Sequence, residues 1–419
     1  MVQLHPFAGV RAAPAHAQAI PSVPYDVVSA AEARVVLEQN PLSFLSVIRS
    51  DADLPDLPAD DDQVYELAAS RFSRLLDDGL MVQDPAPGYY VYEVVTGDRV
   101  FTGIVACVGV GDYESGVIRR HEQTRYDKER DRTRHIQAVN ANTGLVFLLY
   151  RDPGGVHARL ESFAEHAAPA MDVVNDRGEH HRLYRCDDPR SIAALDAAFA
   201  EVDALYIADG HHRAKSSVNA AQERRAKGTV STESERFMAV LFAHDRVRLH
   251  GYSRLVTDLG TLSPESFLRA LRALGTVEPI DGVDVRGFHV VPRTQPSADR
   301  RVLHLYLEGQ WYEFACRRAP GEGLIHGLDV QFLQDRVLGP VLGITDPRGD
   351  PRLHYLGGAS PLSRLVGGVD SREFAVAFAI QPLPIETVLD CADAGLVMPP
   401  KSTWFEPKLL SGFTVHLLD

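Results

Sequence analysis

Cysteine is scarce in this chain: there are four in 419 residues, Cys107, Cys186, Cys316 and Cys391, and no two form a Cys-x-x-Cys pair. That spacing argues against a disulfide frame or a cysteine zinc site and points to reduced thiols. No stretch approaches the roughly 18 consecutive apolar residues of a membrane span. The first ten residues lack a basic segment running into an apolar one, so a secretory leader is not expected. Positive charge is also short: 43 Lys and Arg face 57 Asp and Glu, a net charge of −14. A protein that grips nucleic-acid phosphates usually shows a basic face, and this balance argues against such a partner. Internal repeats and low-complexity tracts are missing as well. With 45% apolar and 24% charged residues, the composition is that of a soluble globular protein. The expectation is a cytoplasmic protein with no membrane and no nucleic-acid partner, its oligomeric state left open.

What is present centres on Ala208-Asp209-Gly210-His211-His212-Arg213. Leu205 to Ala208 reads as a buried strand, and Ala214 to Lys227, rich in Ala, Gln, Glu, Arg and Lys, reads as a helix. A strand-to-helix turn offers free backbone N–H groups and the positive end of a helix dipole to an anion. Asp209 suits a cap or a cation, and Gly210 lets a ligand approach the backbone closely. His211, His212 and Arg213 add donors at the same place. In outline this is a phosphate site.

The rest of the chain predicts a mixed α/β (α+β) protein in three regions, 1–150, 151–260 and 261–419. Ser29 and Glu32 form a capping box for a helix ending before Asn40-Pro41. A second helix covers about 63–78. A hairpin spans 89–95 and 99–110 around Thr96-Gly97-Asp98, its second strand apolar on both faces and therefore central. His121-Glu122 follows a strand-like run at 116–118, and the charged stretch from Asp127 to Arg132 begins a helix. A helix is expected at 156–166, strands at 170–174, 180–185, 236–244 and 249–256. Further on come strands at about 286–292, 301–307 and 310–315, and helices at about 327–336 and 385–394. The segment from Met398 to Gly412 holds two lysines, two hydroxyls and two aromatics between prolines, and is expected to fold back and be ordered. Packing is the expected role of Trp404 and Phe405, ligand contact that of Lys401 and Ser402.

These pieces, taken in order, resemble the domain-of-unknown-function (DUF) family 1015. The matching residues are Pro6-Phe7, Pro24-Tyr25-Asp26-Val27, His121-Glu122 with Thr124, Ile207 to Arg213, and Met398 to Gly412. Val23 and Ala214 stand where that family tends to have a proline and an aromatic. The Asp-Gly-His-His-Arg turn is also similar to the phosphate-gripping turn of the ParB/sulfiredoxin superfamily, some members of which are free-serine kinases. That similarity implies a nucleotide-binding core with additional α/β subdomains, and a nucleotide site at 209–213.

On that basis the expected activity is an ATP-dependent (or ADP- or CTP-dependent) small-molecule kinase acting on the hydroxyl of free serine or a similar amino acid. Such an enzyme needs a phosphate cradle, a metal, a base and charge-stabilising donors. Gly210, His211, His212, Arg213 and Lys128 are the candidate phosphate contacts, Arg213 suiting a bidentate grip. Asp209 and Glu122 are the candidate Mg²⁺ ligands. Asp26 or Glu122 would take the hydroxyl proton, with His121 adding positive charge. Tyr25, Lys401 and Ser402 would meet the substrate. Two other readings stand beside this one: a nucleotide-binding switch without kinase activity, and a metal-dependent hydrolase. The hydrolase is weakened because adjacent His211 and His212 point apart on a helix.

Overall fold

In the computed structural model, residues 2–97 and 99–419 are described, and the chain divides into two compact units. The first comprises Met1–Val247 with Pro407–Asp419, the second Arg248–Glu406. Boundaries near 150 and 260 do not coincide with these units, because strands on both sides of residue 150 share one sheet. The protein is mixed α/β.

The first unit is built on a nine-stranded sheet. Its order is Ile118–Arg119, Leu205–Asp209, Val146–Tyr150, Arg236–Ala243, Arg99–Gly109, Tyr89–Thr96, His180–Cys186 and Met171–Val174, with Leu4–His5 pairing beside Arg99–Gly109. Two pairings are parallel: Leu205–Asp209 with Ile118–Arg119, and Arg236–Ala243 with Val146–Tyr150. Arg99–Gly109 lies between two antiparallel neighbours and is buried along most of its length, which is why its sequence is apolar on both faces. The core on one face gathers Tyr89, Ile104, Leu148, Phe199, Leu205, Ile207 and Phe237. Side chains of that size each contribute about 1.5–3 kcal/mol when withdrawn from water. Of the expected hairpin turn, Asp98 lies outside the described residues.

Three helices carry the residues of interest. Ala30–Gln39 opens with the expected capping box: the Glu32 amide donates to Ser29 Oγ at 3.2 Å, and the Ser29 amide donates to Glu32 Oε2 at 2.7 Å. Tyr126–Val139 packs along His211–Lys227, joined where Ser216 Oγ donates to the Glu129 carbonyl at 3.0 Å. The latter helix starts three residues earlier than its sequence suggests, at His211 rather than Ala214. Gly210 takes a left-handed conformation (φ 89°), which turns the chain sharply enough for helix to begin immediately.

The last residues complete the first unit. Ser411 bridges to Ser22 and Val415 to Val10, and His416–Leu417 pairs with Ala141–Asn142. The second unit holds a six-stranded antiparallel sheet ordered Thr276–Ile280, Gln310–Arg317, Arg300–Leu307, Val376–Ala379, Tyr252–Val256 and Leu353–Gly357. The strand expected at 286–292 is absent. There Arg286 and Gly287 close a turn on Asp284, and Pro292 removes a ladder donor, so the edge position goes to Thr276–Ile280. The helix expected at 327–336 runs only over Asp329–Leu333 before widening into a π turn at Gln334–Leu338. The segment from Met398 onward is ordered as expected, with Trp404–Glu406 paired to Arg248–His250 and Phe405 buried. No helix among the described residues is long and apolar enough to cross a membrane.

Candidate functional site

The strand Leu205–Asp209 ends in a register irregularity opposite Val146–Tyr150, and Gly210 then reverses the chain into the helix. A Cβ at Gly210 would meet Arg213 Nε at 3.1 Å as well as suffering the positive φ, so no other residue fits without displacement. No side chain caps this helix, and no acidic residue lies in its first turn. The first amide bonded back into it is that of Ala214, to the Gly210 carbonyl at 2.9 Å. The amides of His211, His212 and Arg213 thus point out of the helix end with the positive pole of its dipole.

Around that end three charges converge. The Asp209 carboxylate accepts from the Gly210 amide at 2.8 Å and lies 3.5 Å from Lys408 Nζ and 3.7 Å from Arg213 Nη2. Burial would push its carboxyl up, but the Lys408 ammonium and then the Arg213 guanidinium outweigh that and hold it well below the usual carboxylate range. Arg213 also donates through Nη1 to the Leu145 carbonyl, and its stem packs 3.4 Å from where a Cβ on Gly144 would stand. Burial disfavours its charge, yet Asp209, Asp26 and Tyr25 together raise it, so the guanidinium is fixed and cationic. Lys408 was overlooked in the sequence. It lies in the same terminal stretch as Lys401, seven residues on, and only the fold shows that it belongs to the first unit.

The paired histidines separate as helix geometry requires. His211 is 6% exposed and packs edge-on against His121, ring centroids 4.7 Å apart. Its Nδ1 lies 4.0 Å from Glu122 Oε2, and its Nε2 has no hydrogen-bond partner among the described residues. His212 instead accepts the Arg125 amide at Nε2 (3.0 Å), tying the motif helix to the start of Tyr126–Val139. Burial pushes the His121 imidazole down to about 4 despite its bond to the Ile207 backbone and the nearby Asp209 charge. Burial, then His121, drives His211 far below its ordinary value. Both are neutral at pH 7, so the cationic role expected for His121 is not available to it there.

The same effect sets an acid limit. Burial pushes His135 down to about 4, helped by Arg132, and His181 likewise, helped by His180. Each folded value lies below the unfolded 6.5, so the unfolded chain binds the extra proton. Stability is therefore complete above about pH 6.5 and is lost as pH falls toward 4. At pH 5 each of His121, His135 and His181 costs about 2 kcal/mol. Melting temperatures measured from pH 7 to 4.5 will fall before carboxylates titrate, and His135→Gln will flatten the fall. An unchanged slope in that variant would contradict the burial assigned to this ring.

A small cavity of about 30 Å³ adjoins Arg213, lined among others by Tyr25, Ile48, Arg132, Asn142, Thr143 and Ser411. The Arg132 guanidinium lies 4.4 Å above the Tyr25 ring, and the Tyr25 carbonyl accepts from Arg49 Nη1 at 3.1 Å. Burial raises the Tyr25 phenol to about 12, so it is a donor and not a base. Asp26, the next residue, is exposed, yet close enough to act electrostatically on both Arg213 and His212. Tyr25, Asp26, His121, Glu122 and Asp209 to Arg213 are thus gathered around one helix end. Lys128 is exposed on the first turn of Tyr126–Val139. Lys401 and Ser402 belong to the second unit, where Ser402 Oγ donates to the Pro399 carbonyl at 2.7 Å. Among the described residues, the only group of three metal-ligand side chains within reach of one ion is Cys107, Glu233 and His416, not the turn.

Residues 4–331 match the family described as protein of unknown function (DUF1015), and the chain belongs to that family. No curated protein matches it. Among solved structures, a free serine kinase in complex with AMP is similar at 13% identity, covering 73% of this chain and 88% of its own, with a TM-score of 0.36. A conserved hypothetical protein from Pyrococcus furiosus is similar at 13% identity (74% and 93% covered, TM-score 0.34). SbnI from Staphylococcus aureus, truncated at its C-terminus, is similar at 10% identity (73% and 85% covered, TM-score 0.34).

Proposed function

We propose that the protein is a nucleotide-dependent kinase that phosphorylates the hydroxyl of free serine or a similar hydroxy amino acid. The observation that carries this reading is the uncapped start of His211–Lys227, with Arg213 and Lys408 flanking Asp209. The outward amides of His211 to Arg213 and the remaining N–H groups of Arg213 suit the terminal phosphates of ATP, ADP or CTP. Asp209, held ionised and 40% exposed at its side chain, and Glu122 suit a Mg²⁺ ion, which takes one or two carboxylates together with phosphate oxygens. Bound there, the ion would supply charge neutralisation for the phosphates.

The acceptor would approach from the side of Tyr25, where a small cavity of about 30 Å³ adjoins Arg213. Asp26, the carboxylate next to Tyr25 and close enough to act on Arg213, is the base in this reading, and Glu122, 4.0 Å from His211 Nδ1, is kept for the metal. Asp26 takes the hydroxyl proton as the acceptor oxygen bonds to the terminal phosphorus and the bond from phosphorus to the bridging oxygen breaks. The nucleotide leaves one phosphate shorter. Arg213 and Lys408 hold the charge that gathers on the transferring group.

The test is to incubate the chain with each nucleotide, Mg²⁺ and serine, threonine or homoserine, and follow the products by ³¹P NMR. A phosphomonoester of one acceptor is the expected result. Nucleotide binding with all three acceptors untouched would overturn the kinase reading in favour of a nucleotide-binding switch.

A further inference from the structure

The second unit contains a charge that the proposed reaction does not use. Arg254, in the strand Tyr252–Val256, is 4% exposed. Its other buried counterpart in this unit, Arg301, pairs with Glu322 and Asp329. Among the described residues, Arg254 has no carboxylate within ion-pair distance. Its Nη1 donates to the Tyr252 carbonyl at 2.6 Å and its Nη2 to the Pro400 carbonyl at 3.4 Å. Its guanidinium carbon lies 5.2 Å from the Tyr355 ring centroid. Burial lowers it to about 10, and only the Tyr355 and Tyr252 phenols oppose that, so it is still a cation at pH 7.

A second cation shares its surroundings. Lys401 follows Pro400 directly, and its ammonium lies 5.3 Å from the centroid of the Tyr252 ring, the residue whose carbonyl Arg254 holds. Lys401 has a positive φ of 55°, an unfavourable conformation for a residue with a Cβ. Two cations therefore share Tyr252 and the Pro400–Lys401 segment, one of them buried, and neither has an ion-pair partner among the described residues. A buried charge left without a counter-ion is strongly destabilising, and a bound anion would relieve that cost.

We propose that Arg254 and Lys401 form an oxyanion site in the second unit, selective for a phosphate dianion over a monocarboxylate. Two of the five guanidinium N–H groups are taken by carbonyls, which leaves three. Three N–H donors and an ammonium carrying two positive charges match a phosphate dianion in donor number and in charge. A monocarboxylate satisfies half of that charge. Ser402, whose hydroxyl donates to the Pro399 carbonyl, fixes the turn that presents Lys401. This site is independent of the kinase reading and lies wholly within the second unit.

The test uses the full chain carrying Arg213→Ala, which removes the guanidinium from the turn of the first unit. Titration calorimetry with inorganic phosphate at pH 7.5 is expected to show one saturable site. Adding Arg254→Gln should weaken it by about 10-fold or more, and adding Lys401→Gln by a few-fold, as charge-assisted bonds imply. Sodium acetate should not displace phosphate. Glycerol 2-phosphate binding as well as inorganic phosphate marks the site as open to monoesters, and its exclusion marks free phosphate as the ligand; either agrees with the proposal. No saturable binding, equal competition by acetate, or affinity unmoved by the substitutions would overturn it. If Arg254→Gln fails to fold, the exposed Lys401→Gln decides alone: unchanged affinity rejects the site.

Discussion

Arg213→Ala is expected to weaken nucleotide binding by about 100-fold or more. A guanidinium that meets phosphate through two charge-assisted bonds contributes about 1.5–3 kcal/mol per bond, and the substitution removes both. Arg213 is held in place by the Leu145 carbonyl and by Asp209, so little orientation would be lost on binding a phosphate. Arg213→Lys keeps the charge but not the planar fork, and should still lose about 10-fold. Both variants also give up the bond to Leu145, at a cost of about 1–3 kcal/mol in stability. Affinity is therefore measured by calorimetry below each variant's melting transition. An affinity for ATP, ADP and CTP within a few-fold of the parent would remove this turn from the nucleotide site.

Asp26→Asn separates binding from chemistry. Its expected effect is a fall of about 10²–10⁴ in kcat, the usual contribution of a positioned base, with nucleotide affinity within a few-fold. Asn keeps the size and polarity of the side chain and loses only the proton acceptor. Asp26 is exposed at a turn, so its loss carries little structural penalty. Glu122→Gln should behave differently, weakening Mg²⁺-dependent nucleotide binding because that carboxylate abuts His211. If Asp26→Asn retains kcat while Glu122→Gln loses it, the two roles are reversed.

The parts of the site that could be read in advance are those whose physics is local. Leu205 to Arg213 declares a strand, a glycine and a helix in nine residues, and the Ser29–Glu32 box declares a helix start. The start at His211 was not legible, because it depends on Gly210 adopting φ 89° with no capping side chain to mark it. Lys408 was missed for a different reason. Lys401 and Lys408 share one proline-rich stretch, and nothing in their spacing shows that the chain passes from one compact unit to the other between Glu406 and Pro407. The pairing of His416–Leu417 with Ala141–Asn142 is equally silent in the sequence, since its partners lie about 275 residues apart. At 286–292 two valines imitate a strand, but Asp284 and Pro292 decide for a turn. The neutral state of His121 follows from burial alone, which no local pattern reports.

The phosphate grip at 209–213 is tested most directly by selective ¹⁵N labelling and the amide resonances of Gly210, His211, His212 and Arg213 during titration with Mg²⁺ and ADP. These amides are expected to shift together, saturating with the affinity measured by calorimetry, and Arg213→Ala is expected to abolish the shift. Saturable ADP binding that leaves all four resonances in place would contradict this grip.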